Sequence, residues 1–382
     1  ERMFFRSADA QGMRAAGEEI SGEQAFEIGK RGRSVTDAAL HGFNLDQRFE
    51  EEHAARSVAD NFNLRASGST GFRAPSLQQI NFSSTFTTVQ GGEIAEVKIA
   101  PNASPITKAA GIPELKEEKS VNASVGFSWK PTRELTFTVD RYLVKVTDRV
   151  VLSGQFDAFD PNLDPNFTSI LQGLNVSLAQ FFANAVNTTN KGIDLVGEYS
   201  KMMGDSRFRV LVAANIQDMT IDKVNVPSLL TGFEETFLSD REKTFILASA
   251  PPVKVAANLE YGYKQFTIGT RLHYFGEITL LGYGEDGLGI NPMVPLDNGN
   301  GYVPDQYVYS GKLVPDVYAS WKFNNNFTFN LGVDNFLNIH PDLAYAPGAA
   351  GWAFNNETGG PWDAVQMGGN GMRLFTRLSV RF

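Results

Sequence analysis

From Asn61 onward the chain alternates apolar and polar residues with a period of two. Phe62, Leu64 and Ala66 fall on one face, and Asn63, Arg65 and Ser67 on the other. The same alternation runs through Val121–Trp129, Ile193–Tyr199, Val253–Tyr261, Phe266–His273 and Phe327–Asp334. Successive side chains of an extended backbone point to opposite sides, so this period predicts strands with one apolar and one polar face. The segment 1–60 lacks the pattern. It is charged, and Ser21-Gly22-Glu23-Gln24 reads as a capping box that opens a short helix over Ala25 to Lys30. Ser34 to Phe43 reads as a second helix and Arg2–Arg6 as a strand piece. The sequence therefore divides into 1–60, a loop and short-helix segment able to supply part of a barrel strand and an extracellular loop, and 61–382, a strand-forming region.

The connections come in two length classes. Lys130–Glu134, Lys201–Ser206, Gly262–Lys264 and Asn324–Asn326 are short. Ser76–Glu117, Gly154–Thr189, Asp218–Lys243, Gly276–Tyr309 and Asn338–Gly369 are long, and the two classes alternate strictly. Within the second long connection, Phe167–Leu174 and Ser177–Ala185 read as short helices. A soluble β-sandwich can show the same alternation, but it has no reason to segregate its loops. Outer-membrane barrels do so, with tight periplasmic turns and long extracellular loops. Rings on the apolar face flank the short turns: Trp129, Tyr199, Phe208, Tyr261, Phe266, Trp321, Phe323 and Phe327. Such rings suit a membrane–water boundary, although aromatics favour strands in general. The expected fold is all-β, a transmembrane antiparallel β-barrel, with about ten strands from Asn61. Open strand edges cannot sit in hydrocarbon, so this sheet must close on itself or find further strands.

Composition changes the picture only by exclusion. Hydrophobic residues make up 42% and mean hydropathy is −0.21, which does not suggest a membrane protein. No run approaches the roughly 18 apolar residues of a helical span, but alternating strands average to a bland value. The absence of Cys removes disulfides and thiolate chemistry. A net charge of −9 argues against a nucleic-acid partner. His41, His53, His273 and His340 lack metal-ligand spacing, and His273 falls on the polar face, where a loose polar contact is expected. Gly68-Ser69-Thr70-Gly71 runs from a strand into a loop with no helix behind it, so it is no nucleophile elbow. The chain does not read as an enzyme, and no motif asks for a cofactor. Glu1–Arg6 has no apolar signal core, as expected of a mature chain, a truncated one, or part of something longer.

Several runs carry a resemblance. Gly71-Phe72-Arg73-Ala74-Pro75-Ser76-Leu77 opens the first long connection, and Leu115-Lys116-Glu117-Glu118-Lys119-Ser120 closes it. Asp140-Arg141-Tyr142 and Thr147-Asp148-Arg149-Val150-Val151-Leu152-Ser153 lie on the next strand, and Asn190-Lys191-Gly192-Ile193-Asp194-Leu195 starts a later one. Gly332-Val333-Asp334-Asn335-Phe336-Leu337-Asn338-Ile339-His340-Pro341 ends the penultimate strand. In this order they resemble the C-terminal barrel half of TonB-dependent outer-membrane receptors. The style of Asn184-Ala185-Val186-Asn187-Thr188-Thr189 and Gly359-Gly360-Pro361-Trp362-Asp363 is similar to Bacteroidetes receptors. The resemblance implies a barrel of about 22 strands filled by an N-terminal plug domain, which is not recognisable here. It also implies energised uptake of a scarce nutrient such as a ferric chelate, vitamin or oligosaccharide. The implied partners are outer-membrane lipid, the plug and N-terminal strands (in the same or a separate chain), the TonB complex acting through the plug, the barrel-assembly machinery and a surface lipoprotein. A passive porin-like barrel and a structural barrel subunit of an envelope complex are the alternatives.

Candidate site residues are few. Arg73, near the extracellular mouth, contacts an anionic ligand or pairs with a loop or plug carboxylate. Tyr283, Trp352, Phe354 and Trp362 line a ligand vestibule or pack loop against loop. Asp157, Asp160, Asn162 and Asp164 offer hard oxygens for Ca²⁺ but lack the glycine and terminal glutamate of an EF-hand. The plainer reading is turn chemistry at Asp160-Pro161 and Asp164-Pro165. In the last strand Met372, Leu374, Thr376, Leu378, Val380 and Phe382 share one face, and Arg373, Arg377 and Arg381 the other. A terminal aromatic closing such a strand is read as the assembly signal of outer-membrane barrels.

Overall fold

The alternating segments pair with one another in sequence order. In a computed structural model that describes residues 51–90, 93–356, 361 and 365–381, they form an antiparallel meander. Its strands are β1 (Glu51–Ala59), β2 (Phe62–Arg73), β3 (Glu118–Trp129), β4 (Leu135–Leu152), β5 (Leu178–Met203) and β6 (Ser206–Val224). They continue as β7 (Val253–Tyr263), β8 (Phe266–Phe275), β9 (Lys312–Lys322), β10 (Phe327–Asp334) and β11 (Arg373–Val380). The expected capping box at Ser21 and the strand piece at Arg2–Arg6 lie outside the described residues. The chain divides after Phe49 into two units, and the meander belongs to the second.

The ten strands expected from Asn61 are present, and the short turns and long loops alternate as predicted. The two-residue turn Gly204-Asp205 shows why a short turn works here. Gly204 sits at φ 61, the left-handed conformation that a tight hairpin demands and that costs glycine least. One further strand precedes Asn61. β1 pairs with β2 from Glu51↔Ser69 to Ala59↔Phe62, so sheet structure begins before residue 61. Its sequence, EEHAARSVA, hides it because charged and small residues blur the alternation, while the ladder is made by backbone groups.

A second difference concerns Ser177–Ala185, expected as a helix. It is the start of β5, a strand of 26 residues. Periodicity fails here because this end of the strand is buried on both faces. Leu178, Ala179, Gln180, Phe181 and Ala183 are all buried, and a short buried strand reads like a buried helix. The helix expected at Phe167–Leu174 is present as Pro165–Gly173, with Asp164 as its N-cap.

The wall and the long-loop end bury different things. On the wall, large apolar side chains are exposed, among them Val121, Val125, Leu195, Ile216, Ile268, Leu331, Leu374 and Leu378. The hydrophobic core lies instead at the long-loop end. Phe156, Phe167, Phe181, Leu171, Phe237 and Leu238 pack there at no more than 1% exposure. Phe156 meets Phe167 edge-on at 6.3 Å and Phe181 at 5.9 Å. Each such ring contributes on the order of 1.5–3 kcal/mol by leaving water. The hairpin Ser84–Gln90 with Glu93–Ala100 joins this layer, and Val97–Ala100 pair in parallel with Leu178–Phe181. The result is a wall with an apolar outer face, carrying a packed cap built from its long loops.

Candidate functional site

Three of the sequence runs that carry the resemblance, those holding Arg73, Glu118 and Asp148, meet at one place, the long-loop rim of β2 to β5. Arg73 donates from Nε to Glu118 Oε2 at 3.0 Å, and its Nη2 engages the other carboxylate oxygen. Its partner is thus a carboxylate of the neighbouring strand rather than of a loop or plug. Glu118 is buried, and its Oε1 also accepts the Val150 amide at 2.8 Å. Lys116 pairs with Asp148 at 3.0 Å. Asn184 exchanges hydrogen bonds with the Lys116 backbone, 2.9 Å in each direction, and donates to the Asp148 carbonyl at 2.7 Å. Asp148 sits at φ 57 where the β4–β5 register shifts, and its amide donates to Asn187 Oδ1 at 3.1 Å. Runs distant in sequence therefore form one brace between the wall and the cap.

A similar brace ends β10. Asn335 sits at φ 49 and folds its side chain onto Ile339, accepting and donating at 2.8 Å. Its amide donates to Asp316 Oδ1 at 2.7 Å. Asn338 Oδ1 accepts the Met372 amide at 2.9 Å, which sets the start of β11.

The face opposite the apolar one is a ladder of polar contacts. Arg65 pairs with Asp140, with Nε to Oδ1 at 2.6 Å. Asn215 donates to Asp194 at 2.8 Å and to the Tyr142 hydroxyl at 3.0 Å. Arg209 reaches Glu198 at 2.9 Å and Glu260 at 3.9 Å. His273 lies 3.5 Å from Asp316, a loose polar contact. A recess of about 480 Å³ opens on this face between β8 and β11. Arg271, Arg373 and Arg377 line it, with Asp334, Tyr318 and Phe375. Arg373 is held by Asp334 at 2.6 Å, and Arg271 stands over the Tyr318 ring at 4.9 Å. Three guanidinium groups against one carboxylate can hold an anionic group. The sequence places Arg373 and Arg377 on the polar face of the last strand; only the strand order brings Arg271 to them.

The cap contains a polar nest. Arg241 stacks its guanidinium on Phe245 at 4.3 Å and on Tyr283 at 3.9 Å, and donates to Glu242 at 2.9 Å. Gln180 donates to the Tyr283 hydroxyl at 3.3 Å. Burial raises the Glu242 carboxyl and the Tyr283 phenol above their ordinary pKa values. Burial also raises Asp305, whose Oδ2 accepts the Gly284 amide at 3.0 Å. Of the vestibule candidates, Tyr283 is packed inside this nest. Trp352 packs beside the buried Val294, Ala346 and Ala349, while Phe354 is exposed. Trp362 lies outside the described residues.

Asp157, Asp160 and Asp164 each turn an oxygen onto a nearby backbone amide: Phe159 at 2.8 Å, Asn162 at 2.9 Å and Asn166 at 2.9 Å. Their oxygens stabilise turns and a helix N-terminus. Among the described residues no group of three or more His, Asp or Glu is arranged to hold a metal. Met372, just before β11, and Leu374, Leu378 and Val380 within it are exposed on the apolar side. Phe382 lies outside the described residues.

The comparisons agree with this geometry. The family model for the TonB dependent receptor-like β-barrel matches residues 51–336. No curated protein matches the sequence. Among solved structures, a mutant form of the ferric enterobactin receptor PfeA of Pseudomonas aeruginosa aligns with TM-score 0.50 at 13% identity, covering 86% of this chain and 39% of that one. The pyoverdine receptor FpvA of P. aeruginosa aligns at 0.47 and 9%, over 87% and 36%. The FrpB iron transporter of Neisseria meningitidis aligns at 0.45 and 16%, over 87% and 39%. The chain thus spans well under half the length of these structures, and the likeness to PfeA, at 13% identity, speaks to fold alone. They do not bear on the Bacteroidetes-like style of the loops. With three quarters of its length matched by the family model, the chain belongs to the TonB-dependent receptor β-barrel family.

Proposed function

We propose that this chain supplies the C-terminal barrel wall and extracellular loops of a TonB-dependent receptor in the outer membrane of a Gram-negative bacterium. The receptor takes up a scarce nutrient: a ferric chelate, a vitamin or an oligosaccharide. The observation that carries this reading is the inverted wall, with mostly apolar side chains on the outer face, paired charges on the other, and the packed core confined to the long-loop end. Lipid solvates the first face and an aqueous lumen the second. The loops capture the ligand, and the arginine-lined recess of Arg271, Arg373 and Arg377 offers an anionic ligand or an acidic plug surface a resting place. The plug and remaining strands come from the same or a separate chain, and TonB acts through the plug. The exposed row of Met372, Leu374, Leu378 and Val380 presents the last strand to the assembly machinery.

Cells carrying the full-length gene are offered labelled ferric chelates, vitamins and oligosaccharides, with and without TonB. Saturable uptake of one class that falls to background without TonB is the expected result. Uptake that persists without TonB points to a passive pore and rejects this reading. No uptake of any class, in cells where the barrel is assembled, leaves the structural-subunit alternative and also rejects it.

A further inference from the structure

The outer face of β3, β4 and β5 gathers four cations among its apolar side chains. Val125 stands opposite Arg141, and Val121 opposite Lys145. Arg141 stands opposite Ile193, and Leu143 opposite Lys191. Directly paired residues share a face, so Arg141, Lys145 and Lys191 lie on the face of Val121, Val125 and Ile193. Lys119, opposite Thr147, lies there too. Diagonal neighbours across an antiparallel pair stand about 7–8 Å apart. Lys191 is diagonal to both Arg141 and Lys145, and Lys145 is diagonal to Lys119. The four cations form an unbroken zigzag around Leu143.

Their charges are unevenly answered. Lys191 pairs with Asp218 at 3.1 Å, and Lys119 with Glu117 at 3.4 Å. The Asp222 carboxylate nearby accepts from Thr189 at 2.5 Å and from Thr220 at 3.0 Å. Arg141 and Lys145 are exposed, and among the described residues no ion pair engages either. Val125 and Ile193, in the row of Arg141, are exposed apolar surface at 58% and 39%. Unanswered cations directly beside apolar side chains on a lipid-facing wall are costly unless the membrane supplies the counter-charge.

We propose that this patch binds the phosphorylated headgroup of an anionic outer-leaflet lipid, with acyl chains lying along Val125 and Ile193 toward the short-turn end. The proposal rests on the membrane reading of the wall. Charge complementarity selects the head, and continuity with the apolar belt selects a lipid over a soluble anion.

The test uses the purified full-length receptor in neutral detergent, titrated with diphosphoryl lipid A or its dephosphorylated form and read by native mass spectrometry. The wild type is expected to retain the diphosphoryl form preferentially. R141Q/K145Q is expected to weaken that binding about thirtyfold, at the usual contribution of each surface cation to anionic-lipid binding. K264Q/K322Q, at the short-turn rim, should change it little. Equal retention of both lipid forms, or no change in R141Q/K145Q, overturns the proposal. So does displacement of the lipid by millimolar inorganic phosphate, which marks a free-anion site. Failure of the membrane reading shows separately, as a protein that never takes the heat-modifiable form of an inserted barrel. A heat-modifiable barrel that binds both lipids alike sinks this inference only.

Discussion

Glu118 holds two partners at once, the Arg73 guanidinium and the Val150 amide. Glu118→Ala strands a buried amide and an arginine, so a loss of about 1–3 kcal/mol is expected. A lowered temperature for the heat-modifiable transition in detergent measures it, and an unchanged transition counts against the brace. Two other carboxylates work through burial. Glu242 and Asp305 are both raised by desolvation, while Arg241 pulls each back. The folded cap holds protons that the unfolded loops release. That stabilisation is fully present below the ordinary carboxylate pKa and is lost as pH rises through the raised values. Amides near Asp240–Leu247 should therefore be more protected at about pH 5 than at about pH 7.5, after correction for intrinsic exchange. Glu242→Gln should flatten the difference; an equal pH response in that variant rules out the assignment. Residues of this kind were only half legible. Arg73 announces a charge near a rim, but its partner 45 positions away is fixed by strand pairing.

At the scale of elements, period-two segments were legible wherever a strand has one apolar and one polar face. The reading failed where that condition lapses. The first residues of β5 are buried on both faces, and β1 lacks a clean apolar row. β5 is longer than the roughly 9–11 residues that cross a bilayer, and its surplus enters the cap. The close pairing of β3 and β4 also imposes a residue choice. A Cβ at Gly126 would collide with the Val139 carbonyl and the Asp140 carboxylate. Gly126→Ala should cost about 1–3 kcal/mol through overpacking and loosen the Arg65–Asp140 pair. The same detergent transition reports it, and a neutral result shows that β4 can shift.

For the whole molecule, segregated loops and two-faced strands made the barrel wall readable without coordinates. The cap was not readable, because its core draws single aromatic residues from separate loops and from the end of β5, as Phe156, Phe237 and Phe181 show. Nor was the arginine recess, which needs β8 beside the last strands. The outward row of β11 gives a prediction at this scale. Leu378→Lys puts a charge on the lipid face, at about 2–4 kcal/mol if it lies near the bilayer midplane. Outer-membrane levels of the receptor should fall, while Arg377→Gln on the other face should leave them near normal. Equal levels in both variants would speak against a role for that row in insertion.

The parallel pairing of Val97–Ala100 with Leu178–Phe181 has a temporal meaning. The hairpin of the first loop can form from its own residues alone. Its docking strand belongs to a later part of the chain, so closure there is non-local and slow. The hairpin's apolar side must wait without its cover until β5 is in place. The cap therefore closes as a late event, after the strands beneath it have been ordered.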